Sequence, residues 1–267
     1  MRYDFIIREV GKSSALQMVR KYHYSDTLPR INRYFLGCFL EGKMVGLVTL
    51  GFGTRPRHTI QCLWPQLDTK DYLEIGRMCM TEDMPRNSES QMLSAVASWI
   101  KQNVTTCKVL FTWADGIMGK PGYVYQACSY WYAGFIESEI YERDGIKLHV
   151  RGMKPLLVAD PKTDKRKTVR PTIEQMRKLG INHYRGRQFR YLKFLCGRKE
   201  QKRLMGNCAV PLTRAYPKTN DLKWRKRDTA SGKWIECQMP RISTDEKNAE
   251  QQSLQMSLFD IEEGATE

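Results

Sequence analysis

Short apolar runs alternate with segments of helical spacing over the first 150 residues of the chain. Runs that favour strands lie at 3–10, 34–40, 43–52, 57–63, 73–81 and 109–115. Apolar residues at helical spacing predict helices at 13–23, between 88 and 102, and at 122–131. Glu41-Gly42 predicts a hairpin turn, and Arg143-Asp144-Gly145 predicts a second one, between strands 133–142 and 146–150.

This order of elements predicts an α/β (α+β) fold with a mixed sheet flanked by helices. Strands joined through a helix pair in parallel and hairpin partners pair antiparallel, so we expect a partly parallel centre. We expect Ser13 or Ser14 to cap the first helix, and Asn87 or Ser88 to cap the helix that follows, because short polar side chains bind the amides of a first helical turn.

The pattern changes after residue 153. Residues 154–170 are polar, charged and contain proline, which is typical of a linker, and a helix is predicted again at 171–180. Aromatic residues then mix with Arg and Lys, and the end of the chain is polar. We therefore predict a folded domain at 1–153, a basic extension at 154–240 and a flexible acidic tail at 241–267.

Charge is distributed unevenly along the chain. The formal net charge of +15 consists of +3 over residues 1–150, +17 over 151–240 and −5 over 241–267. A positive block of that density is typical of proteins that bind phosphate backbones. An anionic membrane is the competing partner, but the block contains no long amphipathic helix. The charge therefore favours a nucleic acid over a membrane.

Composition argues against several other classes of protein. No apolar run approaches the ~18 residues that span a bilayer. The first residues, MRYDFIIREVGKSS, contain no apolar signal region, so we expect a cytoplasmic protein. The eight cysteines form no C-x-x-C pair, which favours reduced thiols over disulfides or a zinc site. His and carboxylate spacing predicts no other metal site.

Several short motifs, in this order, resemble the phage Mom family of DNA-modification proteins. They are YHYSDTLP at 22–29, GKMVGLVTLGFG at 42–53, LEIGRM at 73–78, MPRNSES at 84–90, WADG at 113–116, GKPGYVYQA at 119–127 and HYRGRQFRYLKFL at 183–195. The element order before residue 153 is also similar to the Gcn5-related N-acetyltransferase fold. The resemblance extends to residue 217.

The resemblance implies a DNA-modifying enzyme with an N-acetyltransferase-like catalytic domain at 1–153. Mom proteins convert the exocyclic amino group of adenine in phage DNA to a carbamoylmethylated, glycinamide-type derivative, which protects the DNA from host restriction. The implied location is the cytoplasm of a phage-infected bacterium. Because that amino group shares its lone pair with the ring, an enzyme must align it and accept a proton.

Four residues are candidates for the catalytic cluster. His23 follows a predicted helix and could act as a base, or only end the helix. Asp115 ends a buried strand, where ligands of α/β sheets gather, or it forms a turn. Tyr125 corresponds to the acid that acetyltransferase-like enzymes often carry, or it packs in the core. Arg77 lies in an apolar strand, where a charge is costly unless paired.

The region before the central helix lacks the Q/R-x-x-G-x-G/A loop with which acetyltransferases bind coenzyme A. Its polar side chains, with two others, are candidates for donor or substrate binding: Tyr24, Asn87, Ser88, Glu89, Ser90 and Gln126. Glu89 would repel an anion. The donor candidates are acetyl-CoA and, favoured here, a glycine-derived molecule, which an aminoacyl-tRNA could supply.

A second set of residues combines charge with stacking surfaces. We expect them to hold DNA, or tRNA as a donor: Arg185, Arg187, Arg190, Tyr191, Lys193, Lys199, Lys202 and Arg203. An adenine amine in a duplex is paired, so the enzyme should flip the base or act on open DNA. The alternative is a basic helix or strand whose aromatic residues dock on the catalytic domain.

The end of the chain resembles a peptide that binds the bacterial sliding clamp. Gln255, Leu258 and Phe259 supply the pattern Q-x-[S/D]-L-F, in which the two apolar residues would enter a hydrophobic pocket of the clamp. Such a tether would raise the local concentration of DNA. The alternative is a short helix that docks on the protein's own core.

Two further functions remain as alternatives. An acetyl-CoA-dependent N-acyltransferase acting on a nucleobase, a small amine or a protein would be favoured by a coenzyme A loop. A non-catalytic DNA-binding accessory recruited by the clamp would keep its effect after substitution of His23, Asp115 or Tyr125.

Overall fold

The computed structural model describes residues 2–23, 25, 27–53, 56–148, 157–159, 166–168 and 171–242. The predicted donor-site residue Tyr24 lies outside the described residues. The same is true of the clamp-binding candidates Gln255, Leu258 and Phe259.

Strands and helices alternate along most of the described chain. The strands are β1 (Ile6–Glu9), β2 (Asn32–Leu40), β3 (Lys43–Gly51), β4 (Tyr72–Met80), β5 (Val109–Asp115), β6 (Trp131–Arg143), β7 (Ile146–Leu148), β8 (Leu157–Ala159), β9 (Arg166–Thr168), β10 (Asn182–Phe194), β11 (Trp224–Arg227) and β12 (Trp234–Cys237). The helices are α1 (Lys12–Tyr22), α2 (Pro56–Thr59), α3 (Ser88–Asn103), α4 (Tyr123–Ala127), α5 (Ile173–Lys178) and α6 (Arg198–Gly206).

The chain divides into two compact units. The first consists of Met1–Asp115, Lys120–Ile136 and Gln188–Lys218, and the second of Gly116–Gly119, Glu137–Arg187 and Thr219–Glu267. This division differs from the predicted boundary at residue 153, because the apolar half of β10 and the following helix α6 belong to the first unit. The predicted basic extension at 154–240 thus contributes residues to both units.

The first unit contains a mixed sheet with the strand order β1-β2-β3-β4-β5-β10. Strands β4 and β5 pair in parallel, and their other neighbours pair antiparallel. On one face, α1 packs Ala15, Met18 and Val19 against Leu47 and Cys79. The predicted α+β fold with a mixed sheet flanked by helices is confirmed, and so is its partly parallel centre.

The predicted strand at 57–63 is wrong, because this segment begins with helix α2. The apolar residues Ile60, Leu63 and Trp64 are spaced as on one face of a helix rather than alternately, and all three are fully buried. The Trp64 indole Nε1 donates a hydrogen bond of 2.8 Å to the Leu204 carbonyl of α6. Burial of the large Trp64 ring therefore explains the helical spacing of the apolar residues in this segment.

The predicted side-chain caps are also wrong. Helix α1 begins after Gly11, and no side chain caps it. Asn87 does hold the N-cap position of α3, but its backbone is left-handed, with φ of 73°, and its side chain forms no capping bond. The Ser88 hydroxyl instead donates to the Pro85 carbonyl at 2.6 Å. The extended backbone of Gly11 before α1 and the left-handed backbone of Asn87 before α3 stand in place of the expected caps.

The second unit has a smaller set of strands and its own core. Within it β6 pairs with β7, β10 with β11, and β11 with β12, all antiparallel, and β8 and β9 form a two-stranded sheet. Its buried cluster contains Tyr141, Leu148, Met176 and Ile181. Helix α5 carries a complete capping box, in which Thr172 and Gln175 each bind the other's backbone amide.

All eight cysteines are free thiols, and four of them are buried. Among the described residues, no helix is long and apolar enough to cross a membrane.

We predict that Gly122→Ala destabilises the first unit. Gly122 has φ of +93°, and a Cβ there would lie 2.5 Å from the Tyr191 ring and 2.9 Å from Ala114 Cβ. Backbone strain and overpacking together should lower the free energy of unfolding by about 2–4 kcal/mol, measured by urea denaturation.

Gly206→Ala is the matched control, because a Cβ at Gly206 meets no atom within 4 Å. It should change stability by less than about 1 kcal/mol. Equal stability of Gly122→Ala and the unmodified protein would contradict the packing described here.

Candidate active site

An opening in the sheet of the first unit lies where β4 and β5 separate. The two strands pair over four residues, from Tyr72 with Val109 to Ile75 with Thr112. Beyond this point β4 continues to Met80, and β5 remains paired with β10 instead. Backbone pairing thus ends midway along β4, and side chains beyond that point can reach a ligand between the strands.

Thr112 and Tyr125 meet at the last paired position of β5. The Thr112 hydroxyl lies 3.3 Å from the Tyr125 hydroxyl and 3.5 Å from the Ile75 carbonyl. The Tyr125 ring is 8% exposed and packs against the rings of Tyr130 and Tyr191. Burial raises the pKa of Tyr125, so its hydroxyl keeps its proton at neutral pH and can donate it.

His23 and Arg77 meet through Ser25. The Ser25 amide donates to His23 Nδ1 at 2.9 Å, and Arg77 Nη2 donates to the Ser25 hydroxyl at 3.0 Å. Arg77 also donates from Nε to the Thr27 carbonyl at 2.9 Å and from Nη1 to the Gly76 carbonyl at 2.8 Å. The loop after α1 therefore fixes the guanidinium group at the strand opening.

Arg77 and Glu74 line one cavity of about 240 Å³. The other lining residues come from the start of β2, the end of β3 and β4: Pro29, Ile31, Asn32, Gly51, Gly53 and Gly76. A Cβ on Gly53 would lie 2.2 Å from Glu74 Oε2 and one on Gly76 would lie 2.7 Å from Pro29 Cγ. Glycines at these positions allow the backbone to close around the carboxyl group.

Burial dominates the chemistry of Glu74. Its Oε2 is buried and accepts no hydrogen bond from any described residue. Desolvation raises the pKa of the carboxyl group from its ordinary 4.5 to about 7, and the charge of Arg77 opposes that shift. A carboxyl group with a pKa near neutral can both accept and release a proton at physiological pH.

Glu74 was not among the residues predicted from the sequence. The signal was available, because Glu74 interrupts the same apolar strand that made Arg77 a candidate. The sequence did not indicate that both side chains would face one cavity. A β-bulge in the pairing of β3 and β4, between Thr49 and Leu50, breaks the strict alternation of that strand.

Asp115 ends β5, as predicted, and lies opposite Gln188 of β10. Desolvation lowers the pKa of Lys120, and the charge of Asp115 partly opposes that shift. The contacts thus assign the four catalytic candidates to three groups. His23 joins Arg77, Tyr125 joins Thr112, and Asp115 is electrostatically coupled to Lys120.

Several of the predicted donor-binding residues bind other groups of the protein. Ser90 donates to the Asn87 carbonyl at 2.8 Å, and Glu89 is exposed. The Gln126 amide lies 2.9 Å from the Pro217 carbonyl and 3.0 Å from the Tyr191 hydroxyl. These bonds brace loops of the first unit. Ser90 also lines a groove of about 500 Å³ beside α3.

Burial argues against part of the predicted nucleic-acid surface. Arg190 is 5% exposed, lies 4.9 Å from the Trp113 ring centre and donates to the Ala133 carbonyl at 3.4 Å. Tyr191 is fully buried and has no open face on which a base could stack. Lys193 donates to the Cys128 carbonyl at 2.9 Å. This half of β10 is an inner strand, and its aromatic residues form core, which was the alternative interpretation.

The remaining residues predicted to bind nucleic acid differ in their exposure to solvent. Lys199, Lys202 and Arg203 lie exposed on α6, although Arg203 pairs with Glu200. In the second unit, Arg187 is half-buried.

Arg185 of the second unit already has acidic and aromatic partners. It pairs with Glu137 at 3.2 Å and Glu139 at 2.6 Å, and its guanidinium lies 4.2 Å from the Trp234 ring centre. Its charge is therefore largely compensated. Among the described residues no group of three His, Cys, Asp or Glu side chains could hold a metal ion.

Comparisons with known proteins identify relatives over most of the chain. Residues 4–218 match the model of the Mom protein family. Methylcarbamoylase mom of Escherichia phage Mu is 29% identical over 204 residues, which are 76% of this chain and 80% of that protein.

Two solved acetyltransferases show weaker similarity, at TM-scores below 0.5. An aminoglycoside 6'-acetyltransferase type Ii has a TM-score of 0.40 and 8% identity, and covers 72% of this chain and 99% of its own. An acetyltransferase of the GNAT family from Streptococcus pneumoniae has a TM-score of 0.38 and 13% identity, with coverages of 72% and 99%.

We predict that Glu74→Gln makes the protein more stable at pH 8 but not at pH 4. The folded-state pKa of about 7 exceeds the ordinary 4.5, so the stability that protonated Glu74 contributes is complete below pH 4.5 and is lost as pH rises through 7. Gln remains neutral throughout. At pH 8 the variant should gain on the order of 2 kcal/mol, measured by urea denaturation at several pH values.

Glu82→Gln, on an exposed carboxyl group, is the control and should show the same small difference at every pH. If the Glu74→Gln difference were also independent of pH, Glu74 would not titrate near neutrality.

Proposed function

The chain belongs to the Mom protein family, and from that premise we propose that it is a phage-type transferase that modifies adenine in DNA. The product is a carbamoylmethylated exocyclic amine, which protects the DNA from restriction enzymes. The relative from phage Mu, named a methylcarbamoylase, supports the reaction class. The observation that carries the proposal is the buried Glu74 carboxyl beside Arg77 in a cavity lined by β4 and by the segments at the start of β2 and the end of β3.

The size of the cavity suits a single flat base. Pockets for drug-sized ligands measure about 300–1,000 Å³, and this one measures about 240 Å³. An adenine that is paired in a duplex cannot bring its amino group into such a cavity. The substrate is therefore a base flipped out of the duplex or a base in single-stranded DNA.

Glu74 accepts the proton that the amine must lose. A bond forms between the exocyclic nitrogen and a carbon of the donor, the donor's leaving group departs with its bonding electrons, and one N–H proton passes to the carboxylate. Near pH 7 an appreciable fraction of Glu74 is ionised, because its pKa is about 7. Arg77 keeps that fraction from falling further, since its charge favours the carboxylate.

The other candidates have supporting roles in this step, and Tyr125 acts from outside the described lining of the Glu74 cavity. His23 is a positioning residue, because its Nδ1 holds the Ser25 amide and Ser25 in turn holds Arg77. Tyr125, protonated and aligned by Thr112, is the donor of a hydrogen bond or a proton to the leaving group. The charge of Asp115 acts on Lys120 at the end of β5.

Mass spectrometry of nucleosides from DNA of cells that express the protein tests the function. We expect a carbamoylmethyl adduct of deoxyadenosine. Its amount should fall at least about a hundredfold in Glu74→Gln and in Tyr125→Phe, because each removes one proton-transfer group. Glu82→Gln, which is exposed and outside the described lining of the cavity, should keep the full amount.

Two results would contradict the proposal. An acetylated adenine would support the acetyl-CoA-dependent alternative, and unmodified adenine in every sample would support a non-catalytic DNA-binding role. Since Glu74→Gln is expected to be at least as stable as the unmodified protein, loss of the adduct in that variant would not reflect unfolding.

A further inference from the structure

A second cavity lies at the same end of the sheet as the Glu74 cavity. It measures about 360 Å³ and is lined by residues from the start of β2, the end of β3, the start of β4 and the end of α3. The two cavities share neighbouring positions: Asn32, Gly51 and Gly53 line the first, and Arg33, Tyr34 and Phe52 the second. Consecutive residues at the start of β2 and at the end of β3 therefore line the two cavities.

Aromatic rings in the second cavity are held in fixed positions. Tyr34 is half-buried and meets Trp99 edge to face, with ring centres 5.5 Å apart. Phe52 is half-buried and meets the fully buried Tyr72 edge to face at 6.3 Å, and the Tyr72 hydroxyl donates to the Phe52 carbonyl at 3.0 Å. Rings that are already ordered and partly open offer a stacking surface at low entropic cost.

Exposed cations accompany these rings. Arg33 and Lys70 line the cavity and are exposed, and no acidic side chain is among the described residues that line it. Lys70 has one ion pair among the described residues, with Asp68 at 3.8 Å, and both side chains are more than two-thirds exposed. Such a pair is weak and can exchange for a phosphate. The cavity therefore combines flat apolar surface with positive charge.

We propose that this cavity binds the nucleotide next to the target adenine in single-stranded or flipped-out DNA. The base of that nucleotide stacks on Tyr34 or Phe52, and the phosphates that flank it contact Arg33 and Lys70. The proposal rests on the proposed function, since it places the target adenine in the Glu74 cavity. It also supplies an open stacking surface that the buried Tyr191 cannot provide.

Equilibrium binding of labelled oligonucleotides to the full chain tests this subsite without requiring catalysis. The probe is a fluorescein-labelled single strand of thymidines with one central deoxyadenosine, followed by fluorescence anisotropy. Tyr34→Leu combined with Phe52→Leu removes both stacking surfaces and keeps apolar volume, and should weaken binding about tenfold or more. Thermal melting of the variant checks its fold.

The contribution of Arg33 and Lys70 is tested through the salt dependence of oligonucleotide binding. Arg33→Gln combined with Lys70→Gln should lower the slope of log affinity against log salt by roughly 0.7 for each phosphate that the protein no longer neutralises. Lys12→Gln combined with Lys43→Gln removes the same charge at exposed positions elsewhere and should leave the slope nearly unchanged.

A second probe distinguishes stacking from structural damage. Abasic sites on both sides of the adenine should weaken binding to the unmodified protein about tenfold, and should cost the Tyr34→Leu, Phe52→Leu variant nothing further. Indifference of the unmodified protein to abasic flanks, equal slopes in both charge variants, or no binding of the single strand would overturn the subsite. The carbamoylmethyl adduct of adenine is measured separately, by mass spectrometry of nucleosides. Failure of the subsite and failure of the proposed function are therefore distinguishable.

Discussion

The pairing of β4 with β5 stops at Ile75 and Thr112, and Arg77 of the candidate active site lies in the half of β4 beyond that interruption. Beyond this point β4 and β5 no longer form hydrogen bonds with each other, so the sheet has a gap between the two strands. The opening persists because both strands have other partners: β4 pairs with β3, and β5 with β10 over its whole length. The pairing of β5 with β10 requires residues 188–194 to belong to the first unit, to which the chain returns after the second unit.

That return explains why a basic segment became core. Tyr191, Leu192 and Phe194 are buried in the sheet, and α6 anchors Trp64 from the other side. The cationic side chains of this half of β10 bind carbonyl groups of the protein itself, as with Arg190 and Lys193. Net charge in a segment therefore predicts an affinity for phosphate but does not locate the surface on which phosphate would bind.

The sequence predicted most of the fold in the first unit and, of the two charged residues that line the Glu74 cavity, only Arg77. Strands with strict alternation and helices with clear apolar faces were recovered within a few residues, because local burial determines them. The segment after Pro56 was misread, since a single buried Trp64 set its spacing. Arg77 was identified as a charge in an apolar strand, yet Glu74 was not. The bulge that brings both to one cavity is a property of the pairing between strands, which no single strand reveals.

Photo-crosslinking of a single-stranded oligonucleotide with 8-azidoadenine at the target position most directly tests whether the adenine enters the Glu74 cavity. Peptide mapping by mass spectrometry should find the crosslinks in the cavity lining, between Pro29 and Asn32, at Gly51 or Gly53, or between Glu74 and Arg77. Crosslinks confined to α6 and the second unit, with none in the cavity lining, would contradict the account.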